Sequence, residues 1–147
     1  MEREHRIVVG RVREATRRVL VVDPDTAFAD KVGTLLSSYG YEVETVQNIR
    51  QAVAAVGAKD FSCVIVDEDL AEMKGYDAVP LLKAISPEPP VIVTAARNSQ
   101  EQEARIRQQD IFYYYVKGID IGELTMAVDD ALVSRLGRRR EPSGGKR

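Results

Sequence analysis

Four places in this sequence hold residue types that could do chemistry together: Asp23-Pro24-Asp25, Asp67-Glu68-Asp69, Thr94 and Lys117. Each of them closes or follows a short apolar run. Carboxylates are hard oxygen ligands, suited to a cation such as Mg²⁺, which keeps several waters and binds through one or two carboxylates together with phosphate. A threonine hydroxyl and a lysine ammonium could hold the remaining phosphoryl oxygens. Phosphoryl transfer is mostly positioning and charge neutralisation, and this set supplies both. Plainer readings exist for most of these residues. Asp23 and Asp25 could simply begin a helix, because acids favour helix N-termini, and Thr94 and Lys117 could be ordinary strand-end residues. Asp67 has no such easy reading, since a carboxylate that closes Val64-Ile65-Val66 is costly to bury without a role.

These residues must be positioned by something, and the pattern around them is that of an α/β protein. Apolar, β-branched runs at 19–22, 41–46, 61–66, 90–93 and 111–116 alternate with segments of helical period. Three of the runs are continuous rather than alternating, as in strands buried on both faces of a parallel sheet. Helix starts are marked by Asn48 with Gln51, Ser99 with Gln102 and Asp120 with Glu123. The first helix is expected at about 26–39, stopping before Gly40, and the last at about 121–136. Strict alternation with right-handed crossovers predicts a doubly wound, five-stranded parallel sheet. In such a sheet the functional crevice lies beyond the carboxyl ends of the strands, where the acids, Thr94 and Lys117 all fall. Ile7-Val8-Val9 could add a short strand. Tyr113 and Tyr115 should share one face of the last strand and Tyr114 the other, so the first two read as packing.

Length and charge bound the rest. With 147 residues and 44% hydrophobic content, the chain is one domain with a real core. Its formal net charge of −2 conceals a strong polarity: residues 1–18 carry +3, residues 135–147 carry +5, and the segment between them carries −10. This divides the chain into a basic N-terminal extension (1–18), a folded body (19–136) and a basic, flexible tail (137–147). The tail is too short for a helix-turn-helix, and nucleic acid is not among the expected partners. The single cysteine, Cys63, excludes an internal disulfide, and neither a signal sequence nor a run of about 18 apolar residues is present. The expectation is a cytoplasmic protein without membrane contact.

From about Val19 to Val133 the sequence resembles the receiver domain of bacterial two-component response regulators. The matching residues are Val-Val-Asp23 at the end of the first strand, Gly40-Tyr41 with Val43 at entry to the second, and Asp67 after Val-Ile-Val, with Met73 and Gly75 following. Thr94 in Val-Ile-Val-Thr-Ala, Tyr114 and Lys117 complete the set. The resemblance implies a flavodoxin-like (βα)5 fold with strand order 2-1-3-4-5. It implies Asp67 as the phosphoacceptor, charged by a sensor histidine kinase or phosphotransfer protein, with Mg²⁺ held by Asp23, Asp67 and the backbone carbonyl of Asp69. Thr94 and Lys117 would contact the phosphoryl group and Tyr114 would be the aromatic switch. The face built by the fourth helix, fifth strand and fifth helix would dock a downstream protein or a second copy. Such a domain signals rather than turns over substrate, beyond self-catalysed phosphorylation and dephosphorylation.

Four positions depart from the family pattern. Pro24 replaces the second acid after the first strand, which weakens the Mg²⁺ site unless Asp25 or Glu68 compensates. Ala71 and Lys74 are loop changes. Gly118 stands where a proline follows the lysine, predicting a trans, more mobile loop and a less firmly placed Lys117. The alternative function is therefore a degenerate receiver that binds protein partners without phosphorylation. A phosphohydrolase of the haloacid dehalogenase type, suggested by Asp23-Pro24-Asp25-Thr26, would leave Asp67 without a task. A flavodoxin would need a first loop that cradles phosphate, and this one is acidic.

Overall fold

In the computed structural model, which describes residues 17–97 and 100–140, the continuous β-branched runs all become strands of one sheet. The elements alternate strictly: β1 (Arg18–Val22), α1 (Thr26–Ser38), β2 (Glu42–Val46), α2 (Ile49–Ala58), β3 (Cys63–Asp67), α3 (Gly75–Ile85), β4 (Val91–Ala95), α4 (Gln100–Arg107), β5 (Tyr113–Val116) and α5 (Ile121–Arg140). The strands are parallel and ordered β2-β1-β3-β4-β5. This is the expected doubly wound architecture.

Strand alternation divides the core into two layers. Leu20, Val22, Val64, Val66, Val91, Val93 and Tyr114 pack with α2, α3 and Ile106 of α4 on one face. Val19, Val21, Cys63, Ile65, Ile92 and Tyr115 pack with α1 and α5 on the other. Both layers are fully buried along β3, β4 and, from Val19 on, β1, because each of these strands has a neighbour on both sides and helices above and below. The edge strand β2, by contrast, exposes Glu42 and Thr45.

Local signals account for most helix ends. Asp25 caps α1, its carboxylate accepting the Phe28 N–H at 3.1 Å. At the other end Gly40 takes φ +93, and the Gly40 and Tyr41 amides donate to the Ser37 and Leu36 carbonyls at 3.0 and 3.1 Å. That is a Schellman closure, for which glycine is the favoured residue. Asn48 caps α2 through the Gln51 N–H, and the Gln51 side chain accepts from Gln47 rather than from the cap residue itself. Asp120 starts α5 by accepting the Gly122 N–H, while Glu123 turns away to accept from the Tyr113 hydroxyl at 3.1 Å.

Two expectations need correction. The last helix continues through Arg140 rather than ending at 136, because arginine and leucine extend a helix readily and one glycine does not stop it. Residues 137–140 are thus helical and not part of a flexible tail. Loop 117–119 is trans, as expected, but it is pinned rather than loose, for reasons given below. The candidate strand at 7–9, the cap at Ser99 and the segment 141–147 lie outside the described residues.

Candidate functional site

The parallel register sets the site at the carboxyl edge of the sheet. Asp67 is the last residue of β3 and lies directly opposite Thr94 of β4. The Thr94 hydroxyl, fully buried, donates to Asp67 Oδ1 at 3.0 Å, and the Asp69 amide donates to Asp67 Oδ2 at 3.0 Å. Lys117, immediately after β5, places its ammonium 3.1 Å from Asp67 Oδ1 and 2.9 Å from Asp23 Oδ2. Asp23, immediately after β1, accepts the Asp25 amide on Oδ1 at 2.8 Å, and its own amide donates to the Val46 carbonyl. Both carboxylates are almost completely buried. Two buried negative charges are thus bridged by one ammonium, with two neutral donors aimed at Asp67.

Burial dominates the electrostatics here. Desolvation pushes the Asp23 carboxyl above its ordinary range, against the opposing pull of Lys117 and the Asp25 amide. Desolvation also pulls the Lys117 ammonium down, yet its pairing with Asp23 and Asp67 more than offsets this and leaves it raised. At neutral pH Lys117 is therefore a firmly charged cation.

The remaining acids have other partners. Asp25 caps α1 and is exposed, and the Asp69 carboxylate turns outward to Lys74 at 3.0 Å. The nearly fully buried Glu68 carboxylate accepts the Tyr114 hydroxyl at 2.9 Å. Burial raises the Glu68 carboxyl, with the Tyr114 hydrogen bond opposing it, and burial raises the Tyr114 phenol as well. The two residues proposed to stand in for the acid missing at Pro24 are thus engaged away from Asp23 and Asp67. Backbone geometry closes this loop tightly: the Gly75 amide donates to the Glu68 carbonyl at 2.6 Å, and a Cβ on residue 75 would sit 2.7 Å from the Glu68 Cα. A polar cleft of about 360 Å³ opens beside Asp23, lined by Thr26, Asp30, Thr45, Gln47 and Gln51.

A family model described as the response regulator receiver domain matches residues 19–129. The chain belongs to that family. It is similar to the transcriptional regulatory protein ZraR of Escherichia coli (strain K12), 31% identical over 114 residues, which are 78% of this chain and 26% of that protein. The chain spans about a quarter of the length of the curated relatives it matches. Among solved structures, a CheY-like receiver domain from Methanospirillum hungatei superposes with a TM-score of 0.78 at 23% identity, covering 83% of this chain and 98% of that one. The beryllofluoride-activated NtrC4 receiver domain dimer superposes with a TM-score of 0.76 at 20% identity, covering 81% and 98%. These likenesses show the receiver fold, and the family is a signalling domain rather than a conventional enzyme.

Receiver domains generally bind Mg²⁺, so the donor set of this one can be tested against that ion. Asp23 and Asp67 provide two carboxylates at one edge, which is the number Mg²⁺ ordinarily takes when phosphate and water complete its shell. No group of three or more His, Cys, Asp or Glu side chains capable of holding a metal exists among the described residues. The donors therefore fit the ion with one protein carboxylate fewer, and Lys117 already neutralises part of the charge that would attract it.

Sequence reasoning missed three features. Phe28 lies under Lys117, whose ammonium is 4.4 Å from the ring centroid. The hydroxyl of Tyr115 donates to the Ile119 carbonyl at 2.5 Å, and that of Tyr114 to Glu68. Strand alternation could have placed Tyr115 on the α1 side, but no sequence signal names the partner of a hydroxyl.

Proposed function

We propose that this receiver domain accepts a phosphoryl group on Asp67 from a phosphohistidine of a sensor histidine kinase or phosphotransfer protein. A carboxylate oxygen of Asp67 attacks phosphorus, the P–N bond breaks, an acyl phosphate forms, and the freed imidazole takes up a proton. The observation that carries this reading is the convergence of Thr94 Oγ1 and Lys117 Nζ on Asp67 Oδ1, at 3.0 and 3.1 Å. Both donors stand beside the atom to be phosphorylated, so short movements would transfer them to phosphoryl oxygens. Mg²⁺, held by Asp23, Asp67 and the Asp69 carbonyl, supplies further neutralisation of phosphoryl charge when bound. Hydrolysis of the acyl phosphate in the same pocket would make the domain self-resetting.

Output runs through the Tyr114 side of the sheet. Phosphorylation replaces the Asp67 carboxylate by an acyl phosphate carrying about −1.5 to −2 charges next to Glu68, whose carboxylate holds the Tyr114 hydroxyl, so the change at Asp67 is felt at once by the switch residue. The face formed by α4, β5 and α5 then binds a downstream protein or a second copy of the chain. Met126 and Val133, seven residues apart on α5, are 65% and 68% exposed and offer an apolar stripe there. The dimer formed by the activated NtrC4 receiver domain supports the second option.

The alternative, a phosphorylation-independent binding module, is favoured by one observation. With Pro24 in place and Asp25 and Glu68 engaged elsewhere, only two carboxylates remain for the cation. A beryllofluoride titration followed by amide NMR, with and without Mg²⁺, separates the two readings. Saturable, Mg²⁺-dependent shifts at Asp67, Thr94 and Lys117, absent in Asp67→Asn, are expected. A well-dispersed spectrum that does not respond to millimolar analogue would instead establish the binding module.

A further inference from the structure

The Lys117 amide donates to the Ala95 carbonyl at 2.7 Å, which fixes where the residue leaves the sheet but not where its long side chain points. Gly118 follows at φ +101, a conformation that glycine adopts freely, and residues 118–120 are exposed. Yet the ammonium is held within 3.1 Å of two carboxylates, and only 16% of the lysine side chain is accessible. Two aromatic residues account for this. The Phe28 ring presents its face to Nζ at 4.4 Å, well inside the roughly 6 Å range of a cation–π contact. Tyr115, 2% exposed, packs its ring against Phe28 with centroids 6.5 Å apart and ties the loop by donating to the Ile119 carbonyl.

We propose that Phe28 and Tyr115 are positioning residues for Lys117: the Phe28 ring face confines the ammonium between Asp23 and Asp67, and Tyr115 anchors the loop that delivers it. The inference rests on the reading of Lys117 as the cation that follows the phosphoryl group. Asp23, the Asp25 cap and Phe28 belong to one short segment, so the start of α1 sets both the carboxylate on one side of Nζ and the ring on another. A long lysine stem has many rotamers, and a group that must shift from Asp67 to a phosphoryl oxygen loses less freedom if it is already confined. Leucine at position 28 would fill similar space but present no negative π face to the ammonium. The brace fixes the side chain, where the backbone bonds of Lys117 and Ile119 fix only the main chain.

The test combines a spectroscopic signature with a binding constant. In the free wild-type protein, the Lys117 ε-methylene protons should be displaced upfield by the Phe28 ring current. The displacement should disappear in Phe28→Leu and persist in Phe28→Tyr. Beryllofluoride affinity in Mg²⁺ should fall about three- to tenfold in Phe28→Leu, the scale of one partly desolvated cation–π contact, and recover in Phe28→Tyr. Tyr115→Phe keeps the ring and should speed amide exchange at Gly118 and Ile119 with a smaller loss of affinity. Unshifted Lys117 protons in the wild type, or wild-type affinity in Phe28→Leu, overturn the proposal. The proton shift is read without any variant or phosphoryl analogue. A wild type that never binds beryllofluoride would therefore remove the phosphoacceptor reading while the position of Lys117 over the ring is still decided.

Discussion

Helices α1 and α4 flank the same carboxyl edge of the sheet but are built to different standards. Helix α1 is capped by Asp25, closed by the Gly40 turn, and buries Ala29, Val32 and Leu36 against the sheet. Helix α4 has eight residues, of which only Ile106 is buried, and it meets its neighbours largely through side chains at the surface. Arg105 lies over the Tyr76 ring at 4.7 Å, Arg107 lies over Tyr114 at 5.6 Å, and Arg107 pairs with Glu103 at 2.8 Å. Exposed pairs of this kind each contribute under about 1 kcal/mol. The wall that holds Asp23 is thus anchored by apolar burial, whereas the element beside Tyr114 is lightly fastened. A device that must keep its chemistry fixed while changing its surface needs that asymmetry, because mobile elements come from the low-stability end of a fold.

The sharpest way to break this comparison is to cut one buried anchor from each helix. Leu36→Ala should cost about 3 kcal/mol of global stability, the usual scale for a buried leucine. Ile106→Ala, an equally buried truncation, should cost clearly less in urea unfolding while greatly accelerating amide exchange within α4. That result is expected if α4 can open without the rest of the domain. Equal global losses with no selective exchange would show that the two helices are fastened alike.

A smaller effect is expected at the cap. Asp25→Ala removes the acceptor for the Phe28 amide and should destabilise the domain by about 1 kcal/mol, read as a lower urea midpoint. Protection in α1 should fall and that in α4 should not. If the loss were instead in Mg²⁺ affinity alone, Asp25 would be a metal ligand and not a cap.

The smallest effect concerns pH. The Asp23 carboxyl is raised in the folded state by burial, so the native protein binds protons more readily than the unfolded chain does. Stability from this group is present at acid pH and is lost as pH rises through its folded value. A modest rise in melting temperature on going from neutral pH toward the carboxylate range is expected, and Asp23→Asn should diminish it. An unchanged pH dependence in Asp23→Asn would place the effect elsewhere.

Much of this was legible in the sequence. Val64-Ile65-Val66-Asp67 and Val91-Ile92-Val93-Thr94 announce buried parallel strands with polar residues at their carboxyl ends, and register alone then sets Asp67 opposite Thr94. Alternation likewise foretold that Tyr113 and Tyr115 would share one face of β5 and Tyr114 the other. What escaped reading depends on long-range partner choice. Whether Glu68 meets a cation or the hydroxyl of Tyr114, 46 residues away, is decided by how the loop after β3 turns. Asp25 reads as metal ligand or as cap, and its carboxylate accepts the Phe28 amide at the helix start. In the sequence Phe28 falls on one apolar stripe with Val32, Leu35, Leu36 and Tyr39, and a stripe does not record which ring the Lys117 ammonium will cover. Helix α4 left a faint signal for the same reason that it is weakly held: a helix with one buried residue has little apolar periodicity.

The tight closure at Gly75 constrains how this domain can be engineered or diversified. Any side chain at position 75 would drive into the backbone of Glu68, one residue from Asp67, so variation there deforms the loop after β3 itself. Gly57, inside α2, has open space around its missing Cβ. Replacing it with alanine should yield a hardier scaffold by about 0.5–1 kcal/mol. Of these two glycines, one is locked by its surroundings and the other is free to be replaced.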